Sequence, residues 1–105
     1  MPFININGRE IEVDEDGFMV NFDDWDEEVA AAMAAADGIP VLTEDHWKVI
    51  NYLRDYYRHF QIAPMIRKLC KETGFTLKYI YELFPSGPAK GACRVAGLPK
   101  PTGCV

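Results

Sequence analysis

The sequence predicts a mainly α-helical (α+β) domain, a small helical bundle with an N-terminal β-meander and a C-terminal arm. Three observations support this fold class. Apolar residues recur at helical spacing in the middle of the chain, glycines and prolines divide the second half into short helices, and apolar and polar residues alternate near the N-terminus. The length of 105 residues is typical of one domain. We therefore expect a domain over residues 1–97 and a flexible arm over residues 98–105.

The first 21 residues have the pattern of a two- or three-stranded meander. Apolar and polar residues alternate on both sides of Asn7-Gly8. This dipeptide favours the tight turn of a β-hairpin, because both residues tolerate a positive φ. Asp16-Gly17 predicts a second turn.

Two helices are predicted in the centre of the chain. Acidic residues at positions 26–28 favour the start of a helix, and Gly38 and Pro40 end it near Asp37. Thr43 is a typical N-cap for the next helix. The apolar residues of that helix recur every three or four positions and predict one buried face: Trp47, Ile50, Leu53, Tyr57 and Phe60.

Shorter helices follow. Pro64 suits the first position of a helix that runs to Glu72 and ends at Gly74. Thr76 caps a helix that runs through Phe84, and these two helices form a helix-turn-helix-like pair. A last helix is predicted over residues 89–96, closed by a glycine, and the two prolines after it favour an irregular, mobile arm. The expected core comprises Trp47, Ile50, Leu53, Tyr57, Ile80 and Leu83.

The formal charge of −5 conceals two oppositely charged halves. Residues 1–46 carry 13 acidic residues and one basic residue, whereas residues 47–105 carry 10 basic and three acidic residues. Either the two halves attract each other as solvated surfaces, or the basic half binds an anion or an acidic partner. The acidic overall balance disfavours nucleic-acid binding. A helix-turn-helix DNA-binding regulator stays an alternative, on the basic residues of the paired helices: Arg67, Lys68, Lys71 and Lys78.

The sequence also indicates a compartment. No stretch has the ~18 consecutive apolar residues that a membrane-spanning helix needs. The sequence also lacks a basic region followed by an apolar run, which is the pattern of a signal peptide. Three cysteines, an odd number, argue against a secreted disulfide scaffold. We therefore expect a cytoplasmic protein, in which cysteines are redox-active, metal-binding or merely buried.

Two of the three cysteines lie close to the C-terminus. Cys104 is the next-to-last residue, where burial is hard and where an exposed free thiol is normally avoided. Gly97 and Gly103 would let the arm turn back toward Cys93, so the two thiols could form a reversible disulfide. Core packing is the alternative for Cys93 and the expectation for Cys70. The 11-residue spacing of the two C-terminal cysteines does not match a zinc site, so no metal is expected.

Three basic residues lie near these thiols in the sequence, namely Lys90, Arg94 and Lys100. Cations lower the pKa of a nearby thiol and favour the thiolate, which is the nucleophile. The same residues could bind an anion or an acidic partner, or they could be solvated surface bases.

Five short motifs extend over nearly the whole chain. They are VDEDGF at 13–18, EDHW at 44–47, IAP at 62–64, LFPxGPAK at 83–90 and AGLPKP at 96–101, the last of which precedes the penultimate Cys104. Together they resemble the DsrC family, the gamma subunits of dissimilatory sulfite reductase, and its relative TusE. The resemblance implies a small helical fold with a mobile C-terminal arm.

The resemblance also implies roles for the cysteines. Cys104 would bear the sulfur, and Cys93 would be the second thiol of DsrC proteins. TusE-type members, which relay a persulfide for tRNA thiolation, keep only the penultimate cysteine. The chain therefore resembles DsrC more than TusE, and a TusE-like relay is the alternative.

The partners implied are the alpha and beta subunits of dissimilatory sulfite reductase, a membrane electron-transfer complex and sulfurtransferases. The arm would enter the sulfite reductase and carry sulfite-derived sulfur away as a trisulfide between Cys93 and Cys104, for reduction to sulfide or for the reverse flow in sulfur oxidation. From their charge rather than from the resemblance, we expect Lys90, Arg94 and Lys100 to hold an anionic sulfur species or to dock an acidic surface of the partner. Sirohaem and iron–sulfur clusters are expected in the partner, no cofactor is expected on this chain, and the chain would not be catalytic alone.

Overall fold

Two β-strands and five helices make up residues 2–100, the part of the chain that the computed structural model describes. The elements are β1 (Phe3–Ile6), β2 (Arg9–Glu12), α1 (Glu27–Ala36), α2 (Glu44–Phe60), α3 (Ile66–Thr73), α4 (Leu77–Leu83) and α5 (Pro88–Cys93). Helix α5 is π-helical, and a 3-10 turn (Phe22–Asp24) precedes α1. The predicted fold class is confirmed. Cys104 and the end of the predicted arm lie outside the described residues.

The N-terminal strands form an antiparallel hairpin. Asn7 and Gly8 have φ values of 51° and 87°, as the predicted two-residue turn requires. Ile11 is buried, so the face of the sheet that carries it lies against the core. The third part of the predicted meander is an isolated bridge between Val13 and Met19 rather than a strand.

The first two helices begin at side-chain caps. Asp26 Oδ1 accepts a hydrogen bond from the amide of Val29 at the start of α1. Thr43 caps α2 as predicted, and its own amide donates to His46 Nδ1 at 3.1 Å. Because Nδ1 accepts, the proton of the ring lies on Nε2, which donates to the carbonyl of Leu83 at 2.8 Å. His46 therefore joins the start of α2 to the end of α4.

The core is centred on α2, as predicted, with one error. Ile50, Leu53, Ile80 and Leu83 are buried, and Trp47 and Tyr57 are partly buried against them. The prediction for Phe60 is wrong, since its side chain is 60% exposed. Helix α2 ends at Phe60, beyond the edge of the core, and the ring packs on Tyr56 with centroids 4.5 Å apart.

Helices α3 and α4 form the predicted helix-turn-helix-like pair. The predicted first residue, Pro64, is wrong by two positions: it is buried ahead of α3, which begins at Ile66. Gly74 ends α3 as predicted, with φ of 78° and its amide donating to the carbonyl of Cys70. Thr76 caps α4. Within residues 2–100, no helix is long and apolar enough to cross a membrane.

Candidate functional site

Cys93, the second of the two predicted sulfur-bearing thiols, is completely buried at the end of α5, with 0% of its surface exposed. Burial raises the pKa of its thiol from 9.0 to about 12, because a buried site disfavours the charged thiolate. Burial, and not the basic residues that are its neighbours in the sequence, therefore sets the pKa of Cys93. At neutral pH its thiol stays protonated and is a poor nucleophile.

The end of the last helix is fixed by the backbone around Gly97, which has φ of 76°. The amide of Gly97 donates to the carbonyl of Arg94, and the amide of Leu98 donates to the carbonyl of Cys93, both at 3.1 Å. This pair of bonds is the Schellman arrangement of a helix C-terminus. Leu98, the first residue of the predicted arm, is buried as part of the body. We call residues 95–98 the root of the arm.

Side chains from two distant segments bind the root. Trp25 Nε1 donates to the carbonyl of Val95, and Arg54 Nη1 donates to the carbonyl of Ala96, each at 2.9 Å. The guanidinium of Arg54 lies 3.8 Å from the ring centroid of Phe22 and 4.1 Å from that of Trp25. These donors satisfy carbonyls that a helix C-terminus leaves without partners, and a cation there complements the helix dipole. Burial lowers the pKa of Arg54 to about 10, so the side chain remains charged at neutral pH.

Gly97 is also in close contact with Trp25. A Cβ atom at position 97 would lie 2.3 Å from Trp25 Cδ1, a distance that no real contact allows. Glycine is therefore required here both by the positive φ and by the indole packed against the backbone.

A single carboxylate, Asp37, contacts the chain on both sides of α5. Ser86 Oγ donates to Asp37 Oδ1 at 2.5 Å, and Arg94 Nη2 lies 3.6 Å from the same oxygen. The other oxygen, Oδ2, is buried and has no hydrogen-bond partner among residues 2–100. Asp37 itself is the C-cap residue of α1.

The three predicted anion-binding residues lie around one acidic side chain. Lys100 forms an ion pair with Asp16, and this hydrogen bond is the main reason that the pKa of Asp16 is lowered. Arg94 Nη1 donates to the carbonyl of Asp16 at 3.1 Å, in addition to its contact with Asp37. Lys90 is exposed and adds to the positive charge near Asp16. Two of the three cations thus already face acids of their own chain, and their binding role stays a prediction.

Cys70 and the basic residues of the paired helices form a separate set. Cys70 is partly exposed and packs against the core. The cations considered for DNA binding are all exposed, and that function stays a prediction: Arg67, Lys68, Lys71 and Lys78. Among the described residues, no three His, Cys, Asp or Glu side chains lie together in a way that could hold a metal ion.

Four residues of this site were not predicted from the sequence: Trp25, Arg54, Asp37 and Ser86. Arg54 had a detectable signal, because it is a charged residue inside the apolar face of α2. Asp37 had a weaker one, since an acid at the C-terminal end of a helix opposes the helix dipole. No local pattern distinguishes Trp25 or Ser86, whose partners lie 70 and 49 positions away.

Comparison with known proteins gives consistent matches over the whole chain. The family model described as "DsrC like protein" matches residues 5–105. The gamma subunit of the dissimilatory-type sulfite reductase of Nitratidesulfovibrio vulgaris is 55% identical over 105 residues, and the match covers 100% of each chain. The sulfurtransferase TusE of Photorhabdus laumondii is 42% identical over 112 residues, again with 100% of each chain covered.

Solved structures give the same result for the fold. A chain in the crystal structure of dissimilatory sulfite reductase I matches with a TM-score of 0.93 and 56% identity, covering 99% of this chain and 100% of that one. The oxidized gamma subunit of the dissimilatory sulfite reductase (DsrC) from Archaeoglobus fulgidus matches with a TM-score of 0.86 and 50% identity, with the same coverage.

Proposed function

The chain belongs to the DsrC-like protein family, and on this premise we propose that it is the sulfur-carrying gamma subunit of a dissimilatory sulfite reductase. The observation that carries the proposal is the 55% identity to such a subunit over the whole chain, combined with the presence of both Cys93 and Cys104. The proposed partners are the alpha and beta subunits of that enzyme, which supply the sirohaem and iron–sulfur clusters. The proposed location is the cytoplasm.

Cys104 is the sulfur acceptor in this proposal, and the reason is its reach. The last backbone bond that ties the chain to Cys93 is made by the amide of Leu98. Six further residues extend the chain by at most roughly 20 Å. A thiol on such a segment can enter a buried site of a partner and can also return to Cys93.

Cys93 is the second thiol, which closes the bridge after capture. Its pKa of about 12 makes it a poor first nucleophile, which favours Cys104 for the initial step. Sulfur at the +2 oxidation level, which the sulfite reductase forms from sulfite, joins the two thiols as a trisulfide, and the two thiol protons leave as water with the two hydroxide groups of that sulfur species. Four electrons and four protons, delivered through a membrane electron-transfer complex, then return two thiols and one hydrogen sulfide. In sulfur oxidation the same cycle runs in reverse.

The basic residues have a secondary place in this proposal. An anionic sulfur species or an acidic surface of the partner would compete with Asp16 and Asp37 for Lys100 and Arg94. Exposed Lys90 lies near Asp16 and would add to the attraction.

Intact mass spectrometry after turnover with sulfite reductase and sulfite tests the division of roles. The unmodified chain should gain one sulfur atom less two hydrogens, the mass of the bridged trisulfide. Cys104→Ala should gain no sulfur, and Cys93→Ala should capture sulfur without losing the two hydrogens. Cys70→Ala is the matched control and should load like the unmodified chain. Sulfur loading of Cys104→Ala at the unmodified level would contradict the proposal.

The TusE-like relay is a second candidate, favoured by the 42% identity to a TusE sulfurtransferase. In that function a persulfide on Cys104 passes directly to another sulfurtransferase. Cys93→Ala should then leave the rate of transfer unchanged, whereas the sulfite reductase cycle requires Cys93.

A further inference from the structure

The position of Asp37 is unfavourable for stability, and this suggests another role. A carboxylate at the C-terminal end of a helix opposes the helix dipole. Its Oδ2 atom is also buried without a hydrogen-bond partner among the described residues, an arrangement that normally destabilises a fold. The contacts that it does make are therefore the informative ones.

Those contacts lie on the two sides of α5. Ser86, which donates to Asp37 Oδ1, comes two residues before Pro88, and Arg94, 3.6 Å from the same oxygen, directly follows Cys93. Gly91, between them, faces the other oxygen, since a Cβ atom added to Gly91 would lie 3.5 Å from Asp37 Oδ2. One side chain thus contacts both ends of the segment that carries Cys93 and faces its middle.

The segment itself has an unusual geometry. Helix α5 is π-helical over Pro88–Cys93, and π-helical turns are rare and frequently found at functional sites. Compared with an α-helix, such a turn contains one extra residue. A return to α-helical geometry would rotate the residues after the turn by about 100°, the angle of one α-helical residue. Such a rotation would turn the Cys93 side chain away from the core position in which it is buried.

We propose that Asp37 is a positioning residue that keeps α5 π-helical and Cys93 buried, and that loss of its contacts lets α5 rotate Cys93 to the surface. The consequence for sulfur transfer rests on the proposed function: Cys93 meets the sulfur on Cys104 only after this rotation. Asp37 thereby controls when the second thiol becomes available. A partner surface that binds Arg94 would remove one of the contacts.

Alkylation of Cys93 tests the proposal without any sulfur chemistry. In a chain with Cys70→Ala and Cys104→Ser, Cys93 is the sole thiol, and intact mass reports its reaction with iodoacetamide. Asp37→Ala should raise the rate of alkylation by about tenfold or more, because the rate follows the population of the opened segment. Asp37→Asn keeps an acceptor oxygen for Ser86 and should give a smaller increase.

Two controls separate positioning from general loss of stability. Asp55→Asn removes an exposed carboxylate paired with Arg58 and should leave the alkylation rate unchanged. Gly74→Ala destabilises the chain at the end of α3, and it should raise the rate only as far as global unfolding does. The Gly74→Ala variant shows how much the alkylation rate rises for a given change in global stability. If the increase for Asp37→Ala is no larger than its own measured change in stability accounts for on this scale, the proposal is overturned. Because the assay contains neither sulfite nor sulfite reductase, failure of the proposed function would leave its outcome unaffected.

Discussion

Helices α3 and α5 are both short, carry one cysteine each and are followed by a glycine with positive φ, yet they are fixed in different ways. The end of α3 is closed by one backbone bond, from the amide of Gly74 to the carbonyl of Cys70. The root that follows α5 is bound by its own backbone bonds and additionally by Trp25 and Arg54, which come from elsewhere in the chain.

The two cysteines also differ in how far they are buried and in what holds their helices. Cys70 is partly exposed, whereas Cys93 is completely buried in a helix that Asp37 contacts on both sides. The comparison teaches that equal local signals can lead to unequal structures. The geometry of α3 follows from its own sequence, and that of α5 depends on side chains that reach it from distant segments.

The two helix-ending glycines provide the sharpest test of this difference. Gly97→Ala should lower the free energy of unfolding by about 3 kcal/mol, because the left-handed backbone is strained for alanine and its Cβ collides with Trp25. Gly74→Ala should cost about 1 kcal/mol, since nothing lies within 4 Å of its Cβ position and only backbone strain remains. Urea unfolding of both variants measures the two costs. Equal costs would show that Trp25 yields easily and that the two helix ends are not different.

Arg54 and Arg58 give the next largest contrast. Arg54→Ala should lower the free energy of unfolding by about 2 kcal/mol, because it leaves the buried carbonyl of Ala96 without its donor and removes a cation packed on Phe22. Arg58→Ala breaks an exposed ion pair with Asp55 and should cost less than about 0.5 kcal/mol. Hydrogen exchange at the amide of Leu98 should also accelerate in Arg54→Ala alone. Unchanged exchange there would mean that Arg54 does not hold the root.

The buried thiol predicts a pH dependence of stability. Cys93 has its pKa raised from 9.0 to about 12, so between these values the unfolded chain releases the thiol proton and the folded chain does not. Titration of Cys93 therefore lowers the free energy of unfolding by about 1.4 kcal/mol for each pH unit of rise within this range.

Cys93→Ala isolates this contribution. At pH 7 the variant should be less stable than the unmodified chain by about 1 kcal/mol, and the difference should vanish and reverse at about pH 10. Urea unfolding of both chains from pH 7 to 10.5 follows the difference, so that other titrating groups cancel. A difference that stays constant would indicate a thiol that titrates normally in the folded state.

The smallest effect is expected at Lys100, the last described residue. Its ion pair with Asp16 is exposed to solvent, where salt screens such pairs, so Lys100→Ala should leave the urea midpoint unchanged at moderate ionic strength. If Lys100→Ala lost as much stability as Gly74→Ala, the region fixed by contacts with the body would reach Lys100 rather than end at Leu98.

Local rules predicted much of the fold and the backbone of the segment that carries Cys93. The caps at Thr43 and Thr76 and the helix ends at Gly74 and Gly97 follow from residue type and position alone. The location of Cys93 in the last helix was predicted for the same reason. Its burial corresponds to the core-packing alternative for this residue. The raised pKa was not predicted, because the pKa of a thiol depends on what surrounds it in space rather than on neighbouring residues in the sequence.

The errors have related causes. Phe60 continues the apolar spacing of α2 but lies past the edge of the core, and the spacing does not indicate where a core ends. The contacts of Trp25 and Asp37 join segments 70 and 49 positions apart, and no single-sequence pattern predicts such pairs. The roles of Cys104 and the three basic residues near it remain predictions.

The indole of Trp25 gives the protein an optical reporter of its own. Its ring is in contact with Gly97, its Nε1 donates to Val95, and a guanidinium stacks on it, so its fluorescence responds to any displacement of the last helix. The chain has only two tryptophans, and Trp47→Phe would leave this one as the sole emitter. Departure of the root from the indole would then appear as a change in emission intensity and wavelength, recorded in real time and without an attached dye.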